Sequence, residues 1–194
     1  RSDGVVVYLD LETGRRIEFL GHQEKINAVA LSPNGNFALS GSNDYAAYFW
    51  DTRSGQVIHR FNHPSRVTQV TLDPQGRYAF TADSMTQAHV WQLTTGDLVS
   101  KLQYIARQRI FTAVRFNEAG TLLATGSPNR LVDLWQLSSG EQIQSWHVTP
   151  REGSRPKSAV VLDVAFTDND TALLTESSSG IAERFTRREK NEHN

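Results

Sequence analysis

The chain has 194 residues, the size of one domain or of part of a larger one. Twenty Lys and Arg against 21 Asp and Glu leave a net charge of −1, which excludes a whole-surface attraction to nucleic acid or to an anionic membrane. A content of 38% hydrophobic and 21% charged residues excludes a disordered tail, and the absence of cysteine excludes disulfides, thiolate metal sites and a cysteine nucleophile.

The chain repeats itself. Leu9, Trp50, Trp91, Trp135 and Phe185 are related by successive shifts of 41, 41, 44 and 50 residues. A period of about 40–45 residues with a Trp near the end of each unit predicts four-stranded propeller blades. In chain order, residues 5–20 hold two strands around the turn Leu11-Glu12-Thr13-Gly14. The next unit runs through a first strand Ile26–Leu31, the turn Ser32-Pro33-Asn34-Gly35, a second strand Phe37–Ser40 and a third ending at Trp50. A second Gly-closed turn at Thr52–Gly55 leads into a fourth strand. The pattern recurs with first strands at Val67–Leu72, Phe111–Phe116 and Val161–Phe166. Each has apolar residues at its first, fourth and sixth places, which predicts a buried inner strand with a local irregularity. The expected division is a truncated blade at 1–20, blades at 21–61, 62–102 and 103–146, a partial blade at 147–186 and a polar tail at 187–194. That inventory implies an all-β chain of about four to four and a half antiparallel blades, with some upstream sequence missing.

These residues resemble the WD-repeat propeller family. Residues 21–51 carry its full pattern: Gly21-His22, Ser40-Gly41-Ser42-Asn43-Asp44 and Trp50-Asp51. The next unit keeps His63, Thr81 and Trp91 but has Met85 where the turn Asp is expected, and the third keeps Thr125 and Trp135 with Asn129 at that place. The resemblance implies a seven-bladed ring and one hydrogen-bonded network of His, Ser/Thr, Asp and Trp inside each blade, complete only for His22, Ser40, Asp44 and Trp50. It implies a non-catalytic scaffold for another protein. The alternative is an enzyme or small-ligand binder using the central channel. The decayed repeats are similar to bacterial WD-repeat proteins, some of them lipid-anchored, so cytoplasmic and extracytoplasmic locations both stay open.

A hydrolase triad of His22, Ser40 and Asp44 is set aside, because these are the family's blade-internal positions. No pair of the six histidines has metal-ligand spacing, and no cofactor is expected. Family partners dock on loops entering the first strands and on the turns between second and third strands. Carried over, that names Lys25, Asn27 and Asn43, then Arg66, Thr68 and Ser84, then Ile110, Thr112 and Pro128. The insertion at 151–157 adds Arg151, Arg155 and Lys157 as contacts for an acidic partner.

Overall fold

The computed structural model describes residues 4–104, 110–153 and 158–187. Among them the chain is all-β, with strands β1 (Val6–Leu9), β2 (Arg16–Phe19), β3 (Ile26–Leu31), β4 (Phe37–Ser42), β5 (Ala46–Asp51) and β6 (Val57–Asn62). Then come β7 (Val67–Leu72), β8 (Tyr78–Asp83), β9 (Ala88–Gln92), β10 (Leu98–Lys101), β11 (Ala113–Phe116) and β12 (Leu122–Gly126). The last are β13 (Leu131–Gln136), β14 (Gln142–His147), β15 (Val161–Thr167), β16 (Ala172–Ser177) and β17 (Ala182–Thr186). They form antiparallel meanders: a pair β1-β2, four-stranded sheets β3 to β6, β7 to β10 and β11 to β14, and a three-stranded sheet β15 to β17. This is the architecture of propeller blades.

The turns follow local chemistry. Asp51 Oδ1 accepts hydrogen bonds from the backbone N–H groups of Arg53 and Ser54 at 2.9 and 2.7 Å. Gly55 then closes the turn at φ 73°, a backbone region that costs glycine little. The same Ser54 contacts hold the Asp51 carboxyl below its ordinary range.

The expected irregularity in the first strands is a β-bulge. Pairing shifts between Ile26 and Ala28, between Val67 and Gln69, and between Val161 and Asp163. Asn27, the extra residue of the first bulge, and Thr112, just before β11, reach the neighbouring sheet, whereas Thr68 bonds within its own. Asn27 Nδ2 donates to Val67 O at 2.8 Å, and Thr112 Oγ1 donates to Val161 O at 2.5 Å.

Successive sheets pack through aromatic and aliphatic side chains. Phe19 stacks on Trp50 with centroids 4.7 Å apart, Phe61 on Trp91 at 4.6 Å, and Trp146 on Phe185 at 5.8 Å. Leu102 packs in one cluster with Trp135. In every case the outer strand of one sheet, or the residue just after it, covers the third strand of the next. Small residues on second strands let the next inner strand approach. A Cβ on Gly41 would lie 2.5 Å from Val67 Cγ1, and one on Gly126 would lie 2.4 Å from Val161 Cγ1.

One expectation fails. Val29 and Leu31, read as buried, are 59% and 53% exposed. The equivalent Val70, Val114 and Val164 are buried, and Gly41 of the preceding sheet faces Val70. Ahead of β3 stand only β1 and β2, which correspond to third and fourth strands, so among the described residues no second strand lies over Val29. The first strands β3, β7, β11 and β15 line a central cleft of about 450 Å³.

Gly126→Ala is expected to cost about 1–3 kcal/mol by overpacking Val161. Adding Val161→Ala should recover part of that loss. Denaturant midpoints of the two single variants and the double variant test this, and additive losses would contradict the contact.

Candidate functional site

The first complete sheet holds the fullest polar network. His22 comes from the loop before β3, Ser40 from β4 and Asp44 from the turn after it. His22 Nδ1 lies 2.9 Å from Asp44 Oδ2, and Nε2 lies 2.8 Å from Ser40 Oγ. A carboxylate only accepts, so Nδ1 carries the hydrogen and Nε2 accepts from the Ser40 hydroxyl. Asp44 also accepts from the N–H groups of Gln23 and Ala46, each at 3.1 Å. Ser42 Oγ donates to Glu24 O and Lys25 O, both at 3.0 Å. The network thus ties the loop of Lys25 to the turn of Asn43. Ser40 is fully buried and its hydroxyl is held by the imidazole, so these three groups fasten a blade.

Trp50 departs from the implied network. Its indole N–H is buried without a hydrogen-bond partner. The two sheets that have both Thr at the Ser40 position and a Trp do bond the indole: Trp91 Nε1 donates to Thr81 Oγ1 at 2.8 Å, and Trp135 Nε1 to Thr125 Oγ1 at 2.9 Å. The energy that holds Trp50 comes instead from its stack on Phe19, worth about 0.5–1.5 kcal/mol beyond area burial.

The second sheet replaces the missing turn Asp. Asp83, two residues before the aligned Met85, sends Oδ1 to the N–H groups of Met85, Thr86 and Gln87 at 2.8, 2.8 and 3.1 Å. Its Oδ2 lies 3.5 Å from His63 Nδ1, and His63 Nε2 lies 2.8 Å from Thr81 Oγ1. The third sheet has no His here. Buried Asp133 accepts from Gln142 Nε2 at 2.9 Å. A further clamp, unread from sequence, joins the second and third sheets at the opposite ends of their strands. Arg77 grips buried Asp73 with two nitrogens at 2.8 and 2.9 Å and donates to Ala119 O and Glu118 O. The hydrogen bonds to Asp73 push the Arg77 guanidinium above its ordinary value.

The residues expected to meet partners fall along one rim. Asn43 N–H donates to Lys25 O at 2.9 Å, and Ser84 N–H donates to Arg66 O at 3.0 Å. Pro128, at the corresponding place in the third sheet, has no N–H to donate, so this tie cannot form there. Asn27 and Thr112 are occupied by the inter-blade bonds already described, and Thr68 donates to Ala82 O at 3.3 Å. Lys25, Arg66, Ile110 and Pro128 are exposed, while Asn43, Thr68, Ser84 and Thr112 are half-buried. Arg151 is exposed, and Arg155 and Lys157 lie outside the described residues. Between Arg66 and Tyr45 opens a cleft of about 610 Å³, lined also by Gln23, Glu24, Asn43 and Asp44. Tyr45 went unread from sequence, although it sits in the same turn as Asn43. It is 55% exposed with its backbone at φ 67°.

A family model described as "WD domain, G-beta repeat" matches residues 14–51. Over those residues the chain is similar to a WD repeat. No curated protein matches the chain. Among solved structures, the computationally designed Ika8 protein is similar with a TM-score of 0.74 and 22% identity, over 95% of this chain and 53% of that one. The computationally designed Ika4 protein is similar with a TM-score of 0.66 and 22% identity, over 87% of this chain and 94% of that one. The chain spans about half the length of the Ika8 protein, and at this identity the likeness concerns the fold.

In the WD repeat, Asp44→Ala should destabilise by about 1–3 kcal/mol, because it leaves His22 Nδ1 and two backbone N–H groups without their acceptor. Ser179→Ala, on the corresponding turn of the last sheet, should cost far less. Equal and small shifts in denaturant midpoint would contradict the role given to Asp44.

The sheet after the WD repeat carries an acid-sensitive pair. His89 is 5% exposed, and neither ring nitrogen has a hydrogen-bond partner. Its ring stacks on His63 at 5.2 Å. Burial, followed by repulsion from His63 and Lys101, pushes His89 down to about 4, with Asp83 opposing the shift. Burial also pushes His63 down, again opposed by Asp83. The unfolded imidazole titrates near 6.5, so its protons bind the unfolded chain preferentially below that pH. Stability fully present above about pH 6.5 should therefore fall as the pH approaches about 4, by up to about 3 kcal/mol from His89. Urea midpoints at neutral and acid pH should show a flatter decline for His89→Phe than for the wild type; parallel declines would contradict it.

Proposed function

We propose that the protein is a non-catalytic WD-repeat scaffold that docks another protein on the rim formed by the first-strand loops and the turns between second and third strands. WD repeats generally mediate protein–protein interaction and are typically non-catalytic. We take 21–61, 62–102 and 103–146 as the blades that support this rim, a division consistent with the three four-stranded sheets.

Tyr45 carries the reading. A left-handed backbone costs a residue with a Cβ about 1–2 kcal/mol. Tyr45 holds that conformation while its ring stays more than half exposed, so the strain is not offset by core packing. The same left-handed backbone recurs at the equivalent Gly4, Arg130 and Gly180, so it belongs to the turn, and the exposed aromatic ring held on that fixed turn is what favours a docking role. Tyr and Arg are the residue types that most often anchor interfaces, and Arg66 shares the cleft with Tyr45. Met85 and Ile110 add exposed apolar groups on the two following blades. Lys25 and Arg66 favour an acidic rim on the partner, acting mainly on association rate.

The reading implies opposite effects at one site. Tyr45→Gly should raise stability by about 1 kcal/mol through relief of the backbone while reducing recovery of the partner from source lysate. Thermal midpoints and pull-downs with the intact protein test both. Undiminished recovery by Tyr45→Gly would refute the docking role.

A further inference from the structure

The central cleft differs in chemistry from the rim. Arg115 on β11 and Asp163 on β15 line it together. Their closest approach is 3.4 Å, from one guanidinium nitrogen to both carboxylate oxygens. That is long for a charge-assisted hydrogen bond, which closes to about 2.7–2.9 Å. The side chains are 56% and 54% exposed, so the pair contributes little stability and opens at little cost. Asp163 Oδ1 also accepts from Val164 N–H at 2.9 Å, which leaves Oδ2 facing Arg115 alone.

Beside this pair stands Leu162, the bulge residue of β15. Its counterparts Asn27, Thr68 and Thr112 are polar and donate to backbone carbonyls. Leu162 has no such bond to make, is 54% exposed and lines the cleft. The volume of about 450 Å³ falls within the ordinary range of small-ligand sites.

We propose that this cleft binds a small zwitterion, an α-amino acid with an aliphatic side chain. In such a molecule one carbon separates carboxylate from ammonium, a spacing that matches two opposite charges as close as Arg115 and Asp163. The carboxylate takes the Arg115 fork, where two parallel N–H donors replace one long contact. The ammonium takes Asp163 Oδ2. The side chain covers Leu162 and leaves water at the same time. A plain carboxylate would meet Asp163 unpaired, and a plain amine would meet Arg115.

The probe is L-leucine, titrated onto the intact protein and followed by saturation-transfer NMR, with L-leucinamide, N-acetyl-L-leucine and glycine as comparisons. Each change to the ligand should weaken binding about tenfold or more: the capped compounds lack a charged group that the site needs, and glycine lacks the apolar side chain that covers Leu162. Arg115→Gln should abolish the advantage of leucine over leucinamide. Asp163→Asn should abolish its advantage over N-acetyl-leucine. Both variants should keep the wild-type melting temperature, as expected for an exposed pair. The proposal is overturned if leucine shows no saturable binding tighter than about 10 mM, if the capped compounds bind as well as leucine, or if both variants keep the wild-type preferences. None of these outcomes bears on the rim, whose test reads partner recovery.

Discussion

The structure depends on one repeated contact, an apolar side chain from the outer edge of each sheet laid across the third strand of the next. A four-stranded meander buries little by itself, because both of its faces must be covered. Phe19 on Trp50, Phe61 on Trp91 and Trp146 on Phe185 supply that cover with stacked rings. Leu102 does so for Trp135 within an aliphatic and aromatic cluster. The small residues at 41 and 126 serve a second contact nearer the centre, since any side chain there would push away the first strand of the next sheet. Val29 and Leu31 show the converse: with no second strand described in front of them, the same residue types remain in solvent.

The polar networks come second to this packing and vary more. The WD repeat uses His22, Ser40 and Asp44 but leaves the Trp50 indole unbonded. The next sheet bonds its indole and uses Asp83 from a different position. Such exchange is tolerable because the net worth of one hydrogen bond is about 1 kcal/mol, whereas burying an aromatic side chain is worth more. Arg77 adds a tie of another kind, bonding one sheet's turn to the carbonyls of the next.

Rigid blades leave their loops free for binding. The two proposed surfaces would use that rigidity differently. The rim places Tyr45 and Arg66 on turns fixed by hydrogen bonds among Asn43, Lys25, Ser84 and Arg66. The cleft draws its groups from strands of adjacent blades, so their separation is set by the inter-blade packing itself.

The sequence by itself determined the repeat period, the order of strands, the Gly-closed turns and the irregular first strands, because each arises from local chemistry repeated at fixed spacing. It also made His22, Ser40 and Asp44 legible as one group, since all three fall inside a single unit. Tertiary structure alone decided what depends on how the backbone turns or on what stands opposite. Position-by-position alignment put Met85 where an acid was expected, but the turn wraps so that the Asp83 carboxylate accepts from the turn's backbone N–H groups and comes within 3.5 Å of His63. The exposure of Val29, the left-handed backbone of Tyr45 and the meeting of Arg115 with Asp163 likewise follow from neighbours far apart in sequence or from backbone angles, neither of which side-chain order alone encodes.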